Sequence, residues 1–284
     1  MSSIEDIIVK WKHTHSEFDS LYYVIPIILW THDVVDIHTY IRQYFRSDKI
    51  NIILIVTDLC SEIQLENPER IIVLRTSLYK SKRLTNEYLL PYFWDCVPFA
   101  YPPLPKKASS SLPIIGFCGQ NNRKERDDLI QYFSKRPDNF QTNFLLRSQF
   151  WGGAPHNEFL ISQYNENMQS SHFIIASRGS GNFSMRFYQT LAAGRIPVLI
   201  DSDMIFPFEN IIDWDRYIVR GSTAEEVGQR ILDVWNSLTE EEWCRKQEEV
   251  RVLFDQYIRY DSFLDAFSRH VLFSVESEPV IGNT

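Results

Sequence analysis

The pattern that most restricts the fold is the recurrence of short, β-branched apolar runs separated by segments of helical spacing. Residues 21–29, 50–56 and 70–74 are such runs, apolar on both faces. Strands of that kind belong in a parallel sheet covered by helices rather than in a half-solvated antiparallel one. Between the first two runs, apolar side chains fall at positions 34, 37, 41, 44 and 45, a helical spacing that completes a βαβ unit.

The alternation pauses at residues 101–113, a Pro/Ser-rich stretch with no periodic apolar positions, and then resumes. Strands are expected at 114–118, 144–146, 172–176, 196–200 and 217–219, and helices at 126–133, 159–168, 183–193, 224–238 and 240–259. Two consecutive βαβ blocks predict two doubly wound α/β lobes facing a cleft: 1–105, a linker at 106–113, and 114–284. Open sheets of this type bind ligands outside the carboxyl ends of their strands, so candidate residues are sought just after each strand.

Composition narrows the function classes. Lys and Arg total 29 against 37 Asp and Glu, a formal net charge of -8, which argues against a nucleic-acid-binding surface. The first fifteen residues lack the pattern of a signal peptide. The longest apolar run, 21–30, is about half the ~20 residues a membrane-spanning helix needs and is interrupted by Pro26. Cys60, Cys96, Cys118 and Cys244 show no metal-ligand or disulfide spacing. The expectation is a soluble, cytoplasmic chain with reduced thiols, no membrane span and no nucleic-acid partner.

The most informative motif is Ser177-Arg-Gly-Ser-Gly-Asn-Phe-Ser-Met-Arg186, between an expected strand and an expected helix. Gly179 and Gly181 permit close approach of backbone N–H groups, a helix N-terminus offers unsatisfied donors, and Arg178 and Arg186 add forked donors suited to phosphate oxygens. The spacing is neither the dinucleotide fingerprint nor a Walker loop. A diphosphate cradle and a plain strand–turn–helix corner both fit it.

Residues 178–208, with Ser184, Arg186, the Ala-Ala-Gly-Arg-Ile-Pro-Val run of residues 192–198, Asp203, Pro207-Phe208 and Asp213-Trp214, closely resemble the donor-binding core of the exostosin glycosyltransferases. Weaker similarity extends to the apolar strand ending in Val24-Ile-Pro26, to Val56-Thr-Asp58, to Asp95-Cys-Val-Pro98 and to Phe117-Cys-Gly119 with Arg126. The resemblance implies a GT-B fold, two Rossmann-like lobes with the nucleotide sugar held by the second. It also implies an inverting transfer from a UDP-sugar to a hydroxyl of an oligosaccharide or glycoprotein glycan, with no cofactor and no obligatory metal. Among exostosin-type proteins the chain looks like the soluble ones of large DNA viruses and microbes, which makes UDP-xylose the expected donor.

Carried over residue by residue, Ser184 and Arg186 go to the donor diphosphate with Gly179, Gly181 and Asn182, and Arg126 stands near the donor. Arg147 enters by its position at a strand end. Gln189 replaces the family's usual Glu, which in such lobes accepts from ribose hydroxyls, and accepts more weakly. Asp203 lies where the family has acidic residues without a catalytic metal; with Asp201 it could instead bind a metal, or end a strand and cap a turn. Arg195 is the nearby cation for a glucuronic donor, or is solvated. For the base that takes the acceptor proton, Asp58 ranks ahead of Asp33 and His32, although Asp at such places also caps helices. Gln189 and the short first lobe leave open the alternative of a catalytically silent carbohydrate-binding protein.

Overall fold

The computed structural model describes residues 21–28, 37–58, 63, 65–92, 100–106, 112–154 and 156–272. Its first sheet contains β1 (Tyr22–Ile28), β2 (Ile50–Val56), β3 (Ile71–Arg75) and β4 (Glu87–Leu89), all parallel and ordered β1-β2-β3-β4. The register runs Tyr22 to Ile50, Asn51 to Ile71 and Val73 to Glu87. β4, only three residues long, is not expected from the sequence. α1 (Ile37–Tyr44) connects β1 to β2; positions 34–36 of the expected helix lie outside the described residues.

Side-chain alternation along β2 explains why its sequence is apolar throughout. Ile53 and Ile55 join Ile25, Ile41 and Val73 on one face, while Ile52, Leu54 and Val56 join Ile72 and Leu74 on the other. Both faces are covered, as a parallel sheet requires.

The second sheet contains β5 (Ile114–Gln120), β6 (Gln141–Arg147), β7 (Phe173–Ile175), β8 (Ile196–Ile200) and β9 (Val219–Gly221). Their order is β6-β5-β7-β8-β9, all parallel. The winding direction reverses between β5 and β7, so the connections leaving these strands diverge and open a crevice at their carboxyl ends. α2 (Lys124–Ser134), α3 (Glu158–Gln169), α4 (Met185–Ala192), α5 (Ala224–Ser237) and α6 (Glu240–Leu253) belong to this lobe. Asn157 and Thr223 cap α3 and α5, and Thr239 with Glu242 forms a capping box on α6. The two parallel α/β lobes face each other in the GT-B arrangement, but among the described strands only the second sheet is doubly wound; the first runs in simple order without reversal, contrary to the expectation of two doubly wound lobes.

Two features depart from the expected division at 105 and 113. The helix expected through 259 gives way to a π-helical turn, Phe254–Ile258, and a separate α7 (Tyr260–Phe267) follows. Phe263, Leu264 and Phe267 of α7 pack against Ile52, Leu54, Ile72 and Leu74, so the chain returns to the first lobe after completing the second. Residues 101–106 are bonded to the second lobe rather than loose: Trp243 donates to the Leu104 carbonyl at 3.0 Å, and the Leu104 and Lys106 amides donate to Gln247 and Glu240. Residues 107–111 lie outside the described residues.

Two buried polar groups hold this strap. Arg195, 1% exposed, donates to the carbonyls of Pro102, Gln169 and Ala193 and to Gln247. It is therefore neither solvated nor a sugar-pocket cation. His172 accepts from the Ile114 amide at Nδ1 and lies 3.2 Å from the Pro105 carbonyl at Nε2, an arrangement that suits the neutral ring with Nε2 protonated. Among the described residues no helix is long and apolar enough to cross a membrane.

Candidate functional site

A cleft of about 390 Å³ lies beyond the carboxyl ends of β2, β5 and β7. Its first-lobe wall is Val56, Thr57, Asp58 and Tyr92, and the second lobe supplies the rest. The wall at β2 is rigid: Thr57 and Thr76 exchange reciprocal hydrogen bonds at 3.0 and 2.8 Å, and Ser77 donates to the Asp58 carbonyl. Tyr92 stacks on Phe183 across the lobes, ring centroids 5.0 Å apart.

The second-lobe wall is built around two guanidinium groups. Arg126 sits on the buried face of α2, donating from Nε to the Ser177 carbonyl and from Nη1 to the Gln120 carbonyl and the Asn122 side chain. Arg186, in the first turn of α4, donates from Nη2 to the Cys118 carbonyl at 2.8 Å. Both lie over the Phe117 ring, at 5.9 and 4.3 Å from its centroid. Burial, then the charges of Arg186 and Arg123, lowers the Arg126 pKa to about 9. Neither group is ion-paired with a carboxylate among the described residues, where the one acidic side chain lining the cleft is Asp58, on the opposite wall. A site with two such cations and open donors favours an anion.

Gly119, where β5 ends, has φ +149°, and a Cβ there would stand 2.5 Å from Arg186 Nη2. The glycine is thus what allows Arg186 to reach over the strand end. Ser184 is the N-cap of α4, yet its side chain makes no capping bond, leaving the hydroxyl beside the helix's open N–H groups. Gly179 also lines the cleft. Gln189 is buried and accepts from the Tyr164 hydroxyl at 2.6 Å. Arg147 lines the far end near Phe150 and donates to the Leu160 carbonyl. Burial pushes the Asp58 carboxyl above its ordinary range, against the opposing charge of Arg123.

Asp58, Arg126, Arg147, Gly179, Ser184, Arg186 and Gln189 thus meet in one cleft. Arg178, Gly181, Asn182 and Asp203 instead form a seam between the lobes. Arg178 donates to the Tyr79 hydroxyl; Asn182 donates to Ser77 and to the carbonyls of Leu78 and Asp203. A Cβ on Gly181 would stand 2.7 Å from Ser77 Oγ, so close approach there serves the other lobe rather than a ligand. The Asp203 carboxylate is taken up by Ser81, and Asp201 accepts from the Asp203 amide in a local turn. His32 and Asp33 lie outside the described residues. No group of three potential metal-ligating side chains occurs among the described residues. Sequence reasoning missed the lining residues Tyr92, Asn122 and Tyr164, whose only signal is position after a strand or an aromatic ring that reads equally as core.

Comparison with known proteins gives a consistent result. The Exostosin GT47 domain matches residues 71–231. An Exostosin-1 homolog of Caenorhabditis elegans is 31% identical over 117 residues, 41% of this chain and 29% of that protein. A probable glycosyltransferase of Arabidopsis thaliana is 30% identical over 162 residues, 54% of this chain and 31% of that one. The matched region therefore spans less than a third of either relative. Among solved structures, S. aureus TarM in a complex containing UDP superposes with a TM-score of 0.45 at 10% identity, covering 84% of this chain and 54% of that chain.

Proposed function

The chain belongs to the exostosin GT47 family, and from that premise we propose that it transfers a sugar from a UDP-sugar to a hydroxyl of an oligosaccharide or glycoprotein glycan. The observation that carries the reading is the Arg126 and Arg186 pair, two guanidiniums on one aromatic ring, bonded to main-chain carbonyls and neither ion-paired with a carboxylate among the described residues. Burying like charges side by side is unfavourable until an anion arrives, and a diphosphate supplies two or more negative charges at the required spacing. Ser184 and the start of α4 add neutral donors, and Gly179 leaves room for the phosphate chain.

In this reading the donor's leaving diphosphate is stabilised by Arg126 and Arg186 as negative charge develops on it, the role a metal fills in other transferases. Asp58 takes the acceptor proton as the hydroxyl oxygen attacks the anomeric carbon from the first-lobe side. A single displacement of this kind inverts the anomeric configuration. The donor we assign is UDP-xylose, from the resemblance to exostosins of large DNA viruses and microbes. Engagement of Arg195 with the interlobe strap supports a neutral sugar over a uronate, because the candidate counter-ion is held elsewhere.

Calorimetric titration with UDP and UDP-xylose tests the site directly. Arg186→Ala should weaken UDP binding by about 1.5–3 kcal/mol, and Arg186→Lys should recover only part of it. Unchanged affinity in the folded variant removes the diphosphate assignment. Transfer is expected to persist in excess EDTA and to give a product whose anomeric configuration is opposite to the donor's; loss in EDTA with rescue by Mn²⁺ contradicts the first expectation, and a retained configuration by NMR contradicts the second.

A further inference from the structure

We propose that Phe150, just beyond the end of β6, is the platform on which the donor's nucleobase stacks, an inference that rests on the donor reading of the cleft, with the diphosphate at Arg126 and Arg186 and Asp58 as the base. The residues lining the cleft follow the strand order of the second sheet. Gly179, Phe183 and Ser184 come after β7, and Asp58 stands on that side: Ser77 donates to its carbonyl and accepts from the Asn182 amide, while Tyr92 stacks on Phe183. Cys118 and Gln120 end β5 in the middle, where their carbonyls hold Arg186 and Arg126. Arg147 and Phe150 stand at and beyond the end of β6, the edge strand. A nucleotide sugar carries its charge between two other parts. With the anomeric carbon required on the Asp58 side and the phosphates in the middle, the nucleoside falls to the β6 end.

That end offers what a flat, uncharged ring needs. Phe150 is 65% exposed and, of the large apolar side chains exposed among the described residues, it is the one that lines the cleft. A lone exposed phenylalanine is ordinary on a protein surface; one placed at the nucleoside end of a cleft presents a π face where a base would lie. The loop that carries it is tied on both sides. Gln120, at the end of β5, donates to the Ser148 carbonyl at 3.1 Å, and Arg147 donates to the Leu160 carbonyl of α3 at 2.7 Å. Gly152 and Gly153, at φ +65° and +78°, turn the chain back directly after this point, and a Cβ on Gly152 would stand 2.8 Å from the Leu160 side chain. The loop is thus positioned before a ligand arrives, which lowers the ordering cost of stacking. Stacking reads a flat ring rather than its hydrogen-bonding edge, so Phe150 supplies affinity for the base and leaves the choice of base to other groups.

Calorimetric titration of the full chain with UDP and with inorganic pyrophosphate separates the base from the phosphates. Phe150→Ala should weaken UDP about tenfold, the order of one lost base–aromatic stack, and leave pyrophosphate affinity unchanged. Phe150→Tyr keeps the ring and should keep native UDP affinity. Arg186→Ala should instead weaken both ligands. Native UDP affinity in folded Phe150→Ala overturns the proposal, and so does an equal loss of UDP and pyrophosphate, which would mark a displaced loop rather than a lost base contact. A native chain that binds pyrophosphate but not UDP overturns the platform alone; one that binds neither overturns the donor reading and the platform with it.

Discussion

The carboxylate of Asp203, in the second lobe, accepts hydrogen bonds from the backbone N–H and the hydroxyl of Ser81, in the first, at 3.1 and 2.5 Å. Asp203 reaches that position with φ at +62°, a conformation that Asn and Asp tolerate better than other side chains. The Lys80 amide donates to its carbonyl, and Lys80 and Arg83 pair with Glu209 beside it. Asp203→Ala should lower stability by roughly 1–2 kcal/mol through lost hydrogen bonds and an unsuited backbone, with Asp203→Asn milder. UDP affinity should stay near native in both. Denaturant unfolding and calorimetry on the same samples check the two halves, and a large loss of UDP affinity would return Asp203 to the donor site.

Gly119→Ala places a methyl group against Arg186 Nη2 and forces a side chain into positive φ. The stability change should be about 1 kcal/mol, since the obstructing atom is the movable end of a side chain. The expected loss is in UDP binding, comparable to that of Arg186→Lys, because the guanidinium must leave the Cys118 carbonyl. Unaltered UDP affinity in the folded variant would show that Arg186 does not need this path.

On the proposed assignment of Asp58 as base and of Arg126 and Arg186 to the diphosphate, Asp58→Asn should reduce kcat by about 10²–10⁴-fold while UDP affinity changes little. The base must be ionised to work, and burial raises its carboxyl. The acid limb of kcat/KM should therefore lie above the ordinary carboxylate range and disappear from the residual rate of the variant. Near-native kcat in Asp58→Asn directs attention to His32 and Asp33.

His172 gives a stability prediction of defined sign. Its pKa is lowered to about 4, chiefly by burial, whereas the unfolded chain's imidazole titrates near 6.5. The unfolded state thus binds the proton more readily, and the native state loses stability as pH falls from about 6.5 toward 4, on the order of 3 kcal/mol from this group. Above 6.5 the contribution is constant. Replacing His172 with Gln should flatten the slope of unfolding free energy over that window; an equally steep slope would assign the proton uptake elsewhere.

Strands were legible where both faces are covered by apolar neighbours, as Ile52 to Val56 reads as sheet before any contact is known, but not at β4, where the buried Glu87 breaks the pattern. On spacing alone the segment from Ser177 to Arg186 fits a diphosphate cradle and a plain strand–turn–helix corner alike, and the exostosin resemblance is what points to Ser184, Arg186 and Arg126. Long-range pairing was not legible. Arg195 reads as a surface cation until a carbonyl 93 positions away is brought to it, and nothing in Phe263 or Phe267 tells which of two sheets they will cover. Asn182 and Asp203 sit within the donor motif in sequence but turn to the other lobe, because loops after neighbouring strands can face either the crevice or the seam.

The return of α7 to the first sheet means that the second lobe is an insertion in the chain, a block ending near residue 258 set inside a unit assembled from residues on both sides of it. The second lobe is accordingly one contiguous stretch of chain, separable in sequence from what surrounds it. Its counterpart has no such freedom: cut before Tyr260, the remaining piece would present Ile52, Leu54, Ile72 and Leu74 to water. Fragment complementation between a truncated chain and a peptide carrying residues 260–272 is the corresponding way to take this molecule apart and put it back together.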